Sequence, residues 1–136
     1  MQRLLAGVVI LLVAGCGDSD TMVGPNPDEP YTQTITGTVS AFGTTGHPLT
    51  IPRSGNMVLR LTWTAADVDL DLYLAPNTCT ALYPMTACGV LATSDAPTGT
   101  LETITRTVTN NERLSIWVDN LHLTLPQNYT LSITID

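Results

Sequence analysis

Met57-Val58-Leu59-Arg60-Leu61-Thr62-Trp63-Thr64, drawn as an extended chain, sets Met57, Leu59, Leu61 and Trp63 on one face and Arg60, Thr62 and Thr64 on the other. Successive side chains of a strand point to opposite sides, so this is a strand with one face in a core and one in water. Val68-Asp69-Leu70-Asp71-Leu72-Tyr73-Leu74 repeats the pattern, with Asp69, Asp71 and Tyr73 expected outward. Leu114-Ser115-Ile116-Trp117-Val118 and Tyr129-Thr130-Leu131-Ser132-Ile133-Thr134-Ile135 follow the same rule. Weaker strands are expected over 34–42, 49–51, 90–94 and 101–109. Turn signals separate them: Gly43-Thr44-Thr45-Gly46, Arg53-Ser54-Gly55-Asn56, Asp95-Ala96-Pro97-Thr98-Gly99, Asn110-Asn111 and Leu125-Pro126-Gln127-Asn128.

No window sustains a 3.6-residue apolar repeat, and nothing between the strands is long and helical enough for a parallel crossover. Seven or eight short strands with one apolar face each require a second sheet to cover that face. The expected fold is therefore all-β, an antiparallel β-sandwich of jelly-roll-like form over residues 31–136.

The start of the chain has a different character. Met1-Gln2-Arg3 is a positive n-region, Leu4 to Val13 is an apolar stretch too short to span a bilayer, and Leu12-Val13-Ala14-Gly15-Cys16 resembles a bacterial lipobox. Residues 1–15 read as a lipoprotein signal peptide, with Cys16 the lipidated first residue of the mature chain. The resemblance implies a thioether-linked diacylglycerol and an acylated amino group on Cys16, and more than one acyl chain makes anchoring stable. Residues 16–30 carry three prolines, two glycines and four acidic residues, a composition that cannot build a core. They are expected to tether the domain to the membrane, with a reach of at most roughly 45 Å at about 3.3 Å per residue. The expected location is the bacterial cell envelope, at the outer membrane.

Three cysteines are an odd number for an exported chain. With Cys16 assigned to lipid, Cys79 and Cys88 remain, and in an oxidising compartment they are expected to pair as a structural disulfide. Their spacing is not that of a zinc or redox site.

The formal net charge is −7, and the five basic residues are all arginines. An acidic chain without lysine is a poor ligand for nucleic acid and for a polybasic membrane contact. Acidity on an exported domain serves either solubility or divalent cation binding.

Asp69-Leu70-Asp71-Leu72-Tyr73-Leu74 also resembles the Asp-Leu-Tyr-Leu strand of bacterial pre-peptidase C-terminal domains, small β-sandwiches related to collagen-binding modules. A strand ending in Trp63 precedes it, Ser94-Asp95 and Glu102-Thr103-Ile104 follow, and the last two strands stand in similar order. The resemblance covers residues 34–136. It implies the sandwich fold, and calcium binding as in some members. The stretch around Cys79 and Cys88 departs from the pattern, and no catalytic domain accompanies the sandwich here.

Asp67, Asp69 and Asp71 alternate along one strand, so their carboxylates project from one face roughly 7 Å apart. Two readings stand: a calcium ion held by Asp69, Asp71 and Glu102, or solvated charges that guard a sheet edge. An EF-hand is excluded, because Leu72 stands where that loop needs glycine and Thr78 where it needs glutamate. Tyr73 and Trp117 break the outward-polar rule. They mark either a ligand-binding face or residues covered by a loop. His47 and His122 fall in apparent turns, and no nucleophile, zinc-ligand or phosphate-loop motif is present. The expected function is a non-enzymatic, lipid-anchored binding module whose ligand is a protein or a polysaccharide, braced by calcium on the first of the two readings of the aspartates; the alternative is an assembly accessory of a larger envelope or secretion complex.

Overall fold

A computed structural model describes residues 29–136. The expected signal peptide, Cys16 and the expected tether up to residue 28 lie outside the described residues. Eight strands are formed: β1 (Tyr31–Val39), β2 (Gly43–Thr50), β3 (Gly55–Trp63), β4 (Leu70–Pro76), β5 (Ala92–Ser94), β6 (Leu101–Val108), β7 (Arg113–Asn120) and β8 (Gln127–Ile135). One helical turn, α1 (Met85–Cys88), lies between β4 and β5. The strands make two four-stranded antiparallel sheets, ordered β1-β8-β3-β6 and β2-β7-β4-β5. Successive strands alternate between the two sheets except at β4–β5, which is the double Greek key of a jelly roll, as the strand pattern predicts.

The alternation read in the sequence builds the core. Met57, Leu59, Leu61 and Trp63 of β3 and Leu131, Ile133 and Ile135 of β8 face Leu70, Leu72 and Leu74 of β4 and Ile116 and Val118 of β7. Burying each such side chain contributes about 1.5–3 kcal/mol. Trp63 Nε1 donates to the Val68 carbonyl at 2.7 Å and so fixes the β3–β4 connection. At the open edge between the sheets, Glu102 of β6 turns inward, where its Oε2 accepts from the Ser94 hydroxyl of β5 and its Oε1 from the Ala96 N–H at 3.1 Å.

Three turn expectations change. Gly43-Thr44-Thr45-Gly46 is not a turn but the start of β2, Gly55 and Asn56 open β3, and Gln127 and Asn128 belong to β8. The strand β2 lies at a sheet edge, paired only with β7, which is where Pro48 is tolerated. Gly46 has its own cause: a Cβ there would lie 2.9 Å from the Trp117 ring, which crosses over β2 from its partner position on β7.

Candidate functional site

The two faces of the β2-β7-β4-β5 sheet are both covered. Its inner face meets the other sheet, and its outer face is roofed by residues 77–91, which leave the sheet where Asn77 N–H donates to the Arg113 carbonyl and return where Leu91 N–H donates to the Leu74 carbonyl. The disulfide between Cys79 and Cys88 closes this segment, with Cα atoms 4.6 Å apart. A second small core forms beneath it from Tyr73, Ala75, Leu82, Trp117 and the two cysteines. Tyr73 and Trp117 do point away from the main core, as expected, but both are buried under the roof. Their rings are not an open ligand face. A covering segment cannot be read from the strand that it covers.

The aspartates share this fate. The strand β4 is not a sheet edge, because β7 and β5 flank it, and Asp71 is buried. It is therefore not a solvated edge charge. Asp67 is exposed and Asp69 half-buried. Among the described residues no three His, Cys, Asp or Glu side chains converge as metal ligands. Asp69, Asp71 and Glu102 are thus not gathered into one ligand set: Glu102 is engaged with Ser94 and Ala96 at the sandwich edge.

Asp71 has a different neighbour. In the β4–β7 register it stands opposite Asp119, and both are buried on the outer face. Tyr73 Oη donates to Asp71 Oδ2 at 3.1 Å, and Tyr83 Oη, from the roof, donates to Asp119 Oδ2. Burial pushes the Asp71 carboxyl up to about 6, with the charges of Asp69, Asp119 and Asp95 adding to the rise and the Tyr73 hydrogen bond opposing it. Burial raises Asp119 as well, against its hydrogen bonds from Tyr83 and the Asn120 backbone. Tyr83 is raised to about 12 by burial and by its bond to Asp119.

Over Asp119 opens a cavity of about 580 Å³, lined also by Phe42, Gly43, Thr44, Tyr83 and Leu121. Phe42 is 71% exposed and Leu123, nearby in the β7–β8 loop, 74%; Tyr83, Leu121 and Leu125 are exposed too. These apolar groups are held in place. Asn120 Nδ2 donates to the carbonyls of Ser40 and Leu125, His122 Nδ1 accepts from the N–H groups of Thr124 and Leu125, and Phe42 N–H donates to the His122 carbonyl. His122 thus organises a loop. His47 has a packing role, hydrogen-bonded through Nε2 to Tyr129 Oη at 2.6 Å between the sheets. Phe42 also sits at φ 48°, a left-handed conformation that a bulky L-residue adopts at a cost of about 1–2 kcal/mol.

Sequence reasoning passed over this end of the molecule. One signal was available: apolar residues occupy even positions at Leu114, Ile116 and Val118, then odd positions at Leu121, Leu123 and Leu125. A phase slip of that kind ends a strand and turns the following leucines away from its core face. Phe42, the sole phenylalanine of the chain, beside Gly43, was a second.

Fold and site together define a jelly-roll β-sandwich with an apolar, acid-floored cavity at one end. No protein-family model matches the chain, and no curated protein matches it. Among solved structures it is similar to a mitogen derived from Yersinia pseudotuberculosis, at 19% identity over 79% of this chain and 88% of that one, with a TM-score of 0.57. It is similar to the pre-peptidase C-terminal domain of a collagenase from Bacillus anthracis, at 13% identity, 75% and 88% coverage and a TM-score of 0.55. A periplasmic inhibitor of g-type lysozyme from Aeromonas hydrophila is similar at 7% identity, 83% and 93% coverage and a TM-score of 0.56. The resemblance to pre-peptidase C-terminal domains is thereby established at the level of fold.

Proposed function

We propose that the chain is a non-enzymatic, lipid-anchored binding module of the bacterial cell envelope, displayed at the outer membrane, and that its ligand is a protein. The observation that carries this reading is the cluster of large exposed apolar side chains, Phe42, Tyr83, Leu121, Leu123 and Leu125, on hydrogen-bonded loops at one end of the sandwich. Monomeric proteins rarely expose such a patch without a partner, and aromatic anchors with an apolar surround are the anatomy of protein interfaces. The strained backbone of Phe42 supports the same reading, since nothing inside the fold requires an aromatic ring there. Among the described residues no helix is long and apolar enough to cross a membrane, so the membrane contact proposed is the lipid on Cys16. The likeness to a periplasmic lysozyme inhibitor supports a protein partner in the envelope.

Site-specific photocross-linking of the full chain in cells tests the proposal. Probes at Phe42 and Leu123 are expected to give discrete protein adducts, and a probe at Thr105, on the outer face of the opposite sheet, none. Adducts confined to a probe at Thr34, on edge strand β1, would instead favour an assembly accessory joined through its open sheet edge. Absence of adducts at Phe42 and Leu123 overturns the docking reading.

A further inference from the structure

The cavity beneath the apolar patch has a chemistry that selects its occupant. Its walls are Phe42, Leu121 and the ring of Tyr83, and its floor is Asp119. Asp71 stands directly across the strand pair from Asp119, and Asp69 Oδ1, two residues before Asp71, is shut from solvent and accepts no hydrogen bond among the described residues. Three carboxylates therefore crowd one end of β4 and β7, and the groups acting electrostatically on Asp71 are all acidic.

No cation of the described residues answers them. The chain has no lysine. Arg106 pairs with Glu112 at 2.7 Å, Arg53 donates to the Glu29 carbonyl, Arg60 lies exposed on β3 of the other sheet, and Arg113 begins β7 at the end opposite Asp119. Buried charges are ordinarily paired, so Asp119 at the floor of an open cavity, with Asp71 buried beside it across the strand pair, calls for a cation from outside.

We infer that this cavity receives an arginine side chain of the protein partner, its guanidinium lodged against Asp119 beside Asp71 and its aliphatic stem between Phe42 and Leu121. The inference rests on the docking reading above and names what that end of the sandwich recognises. Arginine suits the site better than lysine. Its planar guanidinium stacks on aromatic rings such as those of Phe42 and Tyr83, loses less on leaving water, and offers several donors to a carboxylate that already accepts from Tyr83. The cavity is larger than one side chain needs, and leaves room for backbone of the partner at its mouth.

The test is an NMR titration of the full chain in detergent micelles with Nα-acetyl-arginine amide, against Nα-acetyl-citrulline amide as the uncharged isostere. Saturable amide shifts are expected at Phe42, Gly43 and Leu121 with the arginine probe. Affinity should fall on the order of tenfold for citrulline, and by a similar factor in Asp119→Asn. Phe42→Ala, at an exposed position, should weaken the arginine probe several-fold and guards against an Asp119 variant that does not fold. Equal binding of citrulline, shifts outside the cavity, or arginine binding unchanged in either variant overturns the inference. Cross-links from Phe42 and Leu123 separate the two claims: if they form while the probe fails, docking stands and the arginine site falls; if they do not form, the docking reading itself falls.

Discussion

Asp71 on β4 and Asp119 on β7 are direct cross-strand partners, buried side by side on the outer face of their sheet, and each accepts a tyrosine hydroxyl, from Tyr73 and Tyr83 respectively. Like charges directly opposite one another weaken a strand pair. This pair is retained beneath a roof whose own Tyr83 bonds to it, so the roof and the acid pair form one unit.

That unit makes stability depend on pH in an unusual direction. The folded Asp71 carboxyl, at about 6, lies above its ordinary value of 3.8. A carboxyl with a raised folded pKa holds its proton better in the fold. Its contribution therefore favours folding at low pH and is lost as pH climbs from about 4 to about 6. At about 1.4 kcal/mol per unit the loss is about 3 kcal/mol. Asp71→Asn should raise stability at pH 7 by about 2 kcal/mol and leave it unchanged at pH 4. Urea unfolding of both proteins at the two pH values measures the difference, and equal differences at pH 4 and pH 7 would refute this account.

The Cys79–Cys88 disulfide should hold the roof closed. Breaking it in Cys88→Ser is expected to cost about 2–3 kcal/mol by freeing a short loop in the unfolded chain. Tyr73 and Trp117 should then become wetter. In a Trp63→Phe background, Trp117 emission should shift to the red, while an unchanged spectrum would mean that the roof stays shut without its staple.

Two glycines lie under aromatic rings. A Cβ on Gly46 would meet Trp117 at 2.9 Å, and one on Gly37 would meet Tyr129 Oη at 2.6 Å. Gly46→Ala and Gly37→Ala should each destabilise by about 1–3 kcal/mol through overpacking. Gly37→Ala should in addition disturb the His47–Tyr129 hydrogen bond. Pairing Gly46→Ala with Trp117→Leu should recover part of the loss, and strict additivity in the double mutant would rule out the proposed clash.

Phe42 should separate binding from stability. Replacing it with glycine relieves the left-handed strain, offset in part by the greater freedom of glycine in the unfolded chain. Phe42→Gly is therefore expected to unfold at the same temperature as the parent or slightly higher, while cross-linking from Leu123 is reduced. A loss of more than about 1 kcal/mol would show that the ring supports the fold.

The two sheets were legible because their signal is local. Alternation at Met57, Leu59, Leu61 and Trp63 or at Leu131, Ile133 and Ile135 follows from the period of an extended chain and needs no knowledge of partners. The weak strands were harder. Gly43-Thr44-Thr45-Gly46 carries turn-like residues because Gly46 accommodates a ring from β7, a constraint that lies 71 positions away along the chain.

Local pattern was enough to place Asp71, Tyr73 and Trp117 on the face away from the core and to pair Cys79 with Cys88, since direction along a strand and cysteine arithmetic are properties of composition and order. Whether that face met water was a matter of long-range packing. Residues 77–91 fold back across it, turn an expected binding surface into a second core, and bring Tyr83 onto Asp119, which the β4–β7 register sets against Asp71. An accessible apolar cavity lies instead at the end of the sandwich, where Phe42 from one connection and Leu121 from another meet over Asp119. Such a meeting depends on the order of strands in the sheets, and strand order is settled by the packing of distant segments rather than by the alternation within each one.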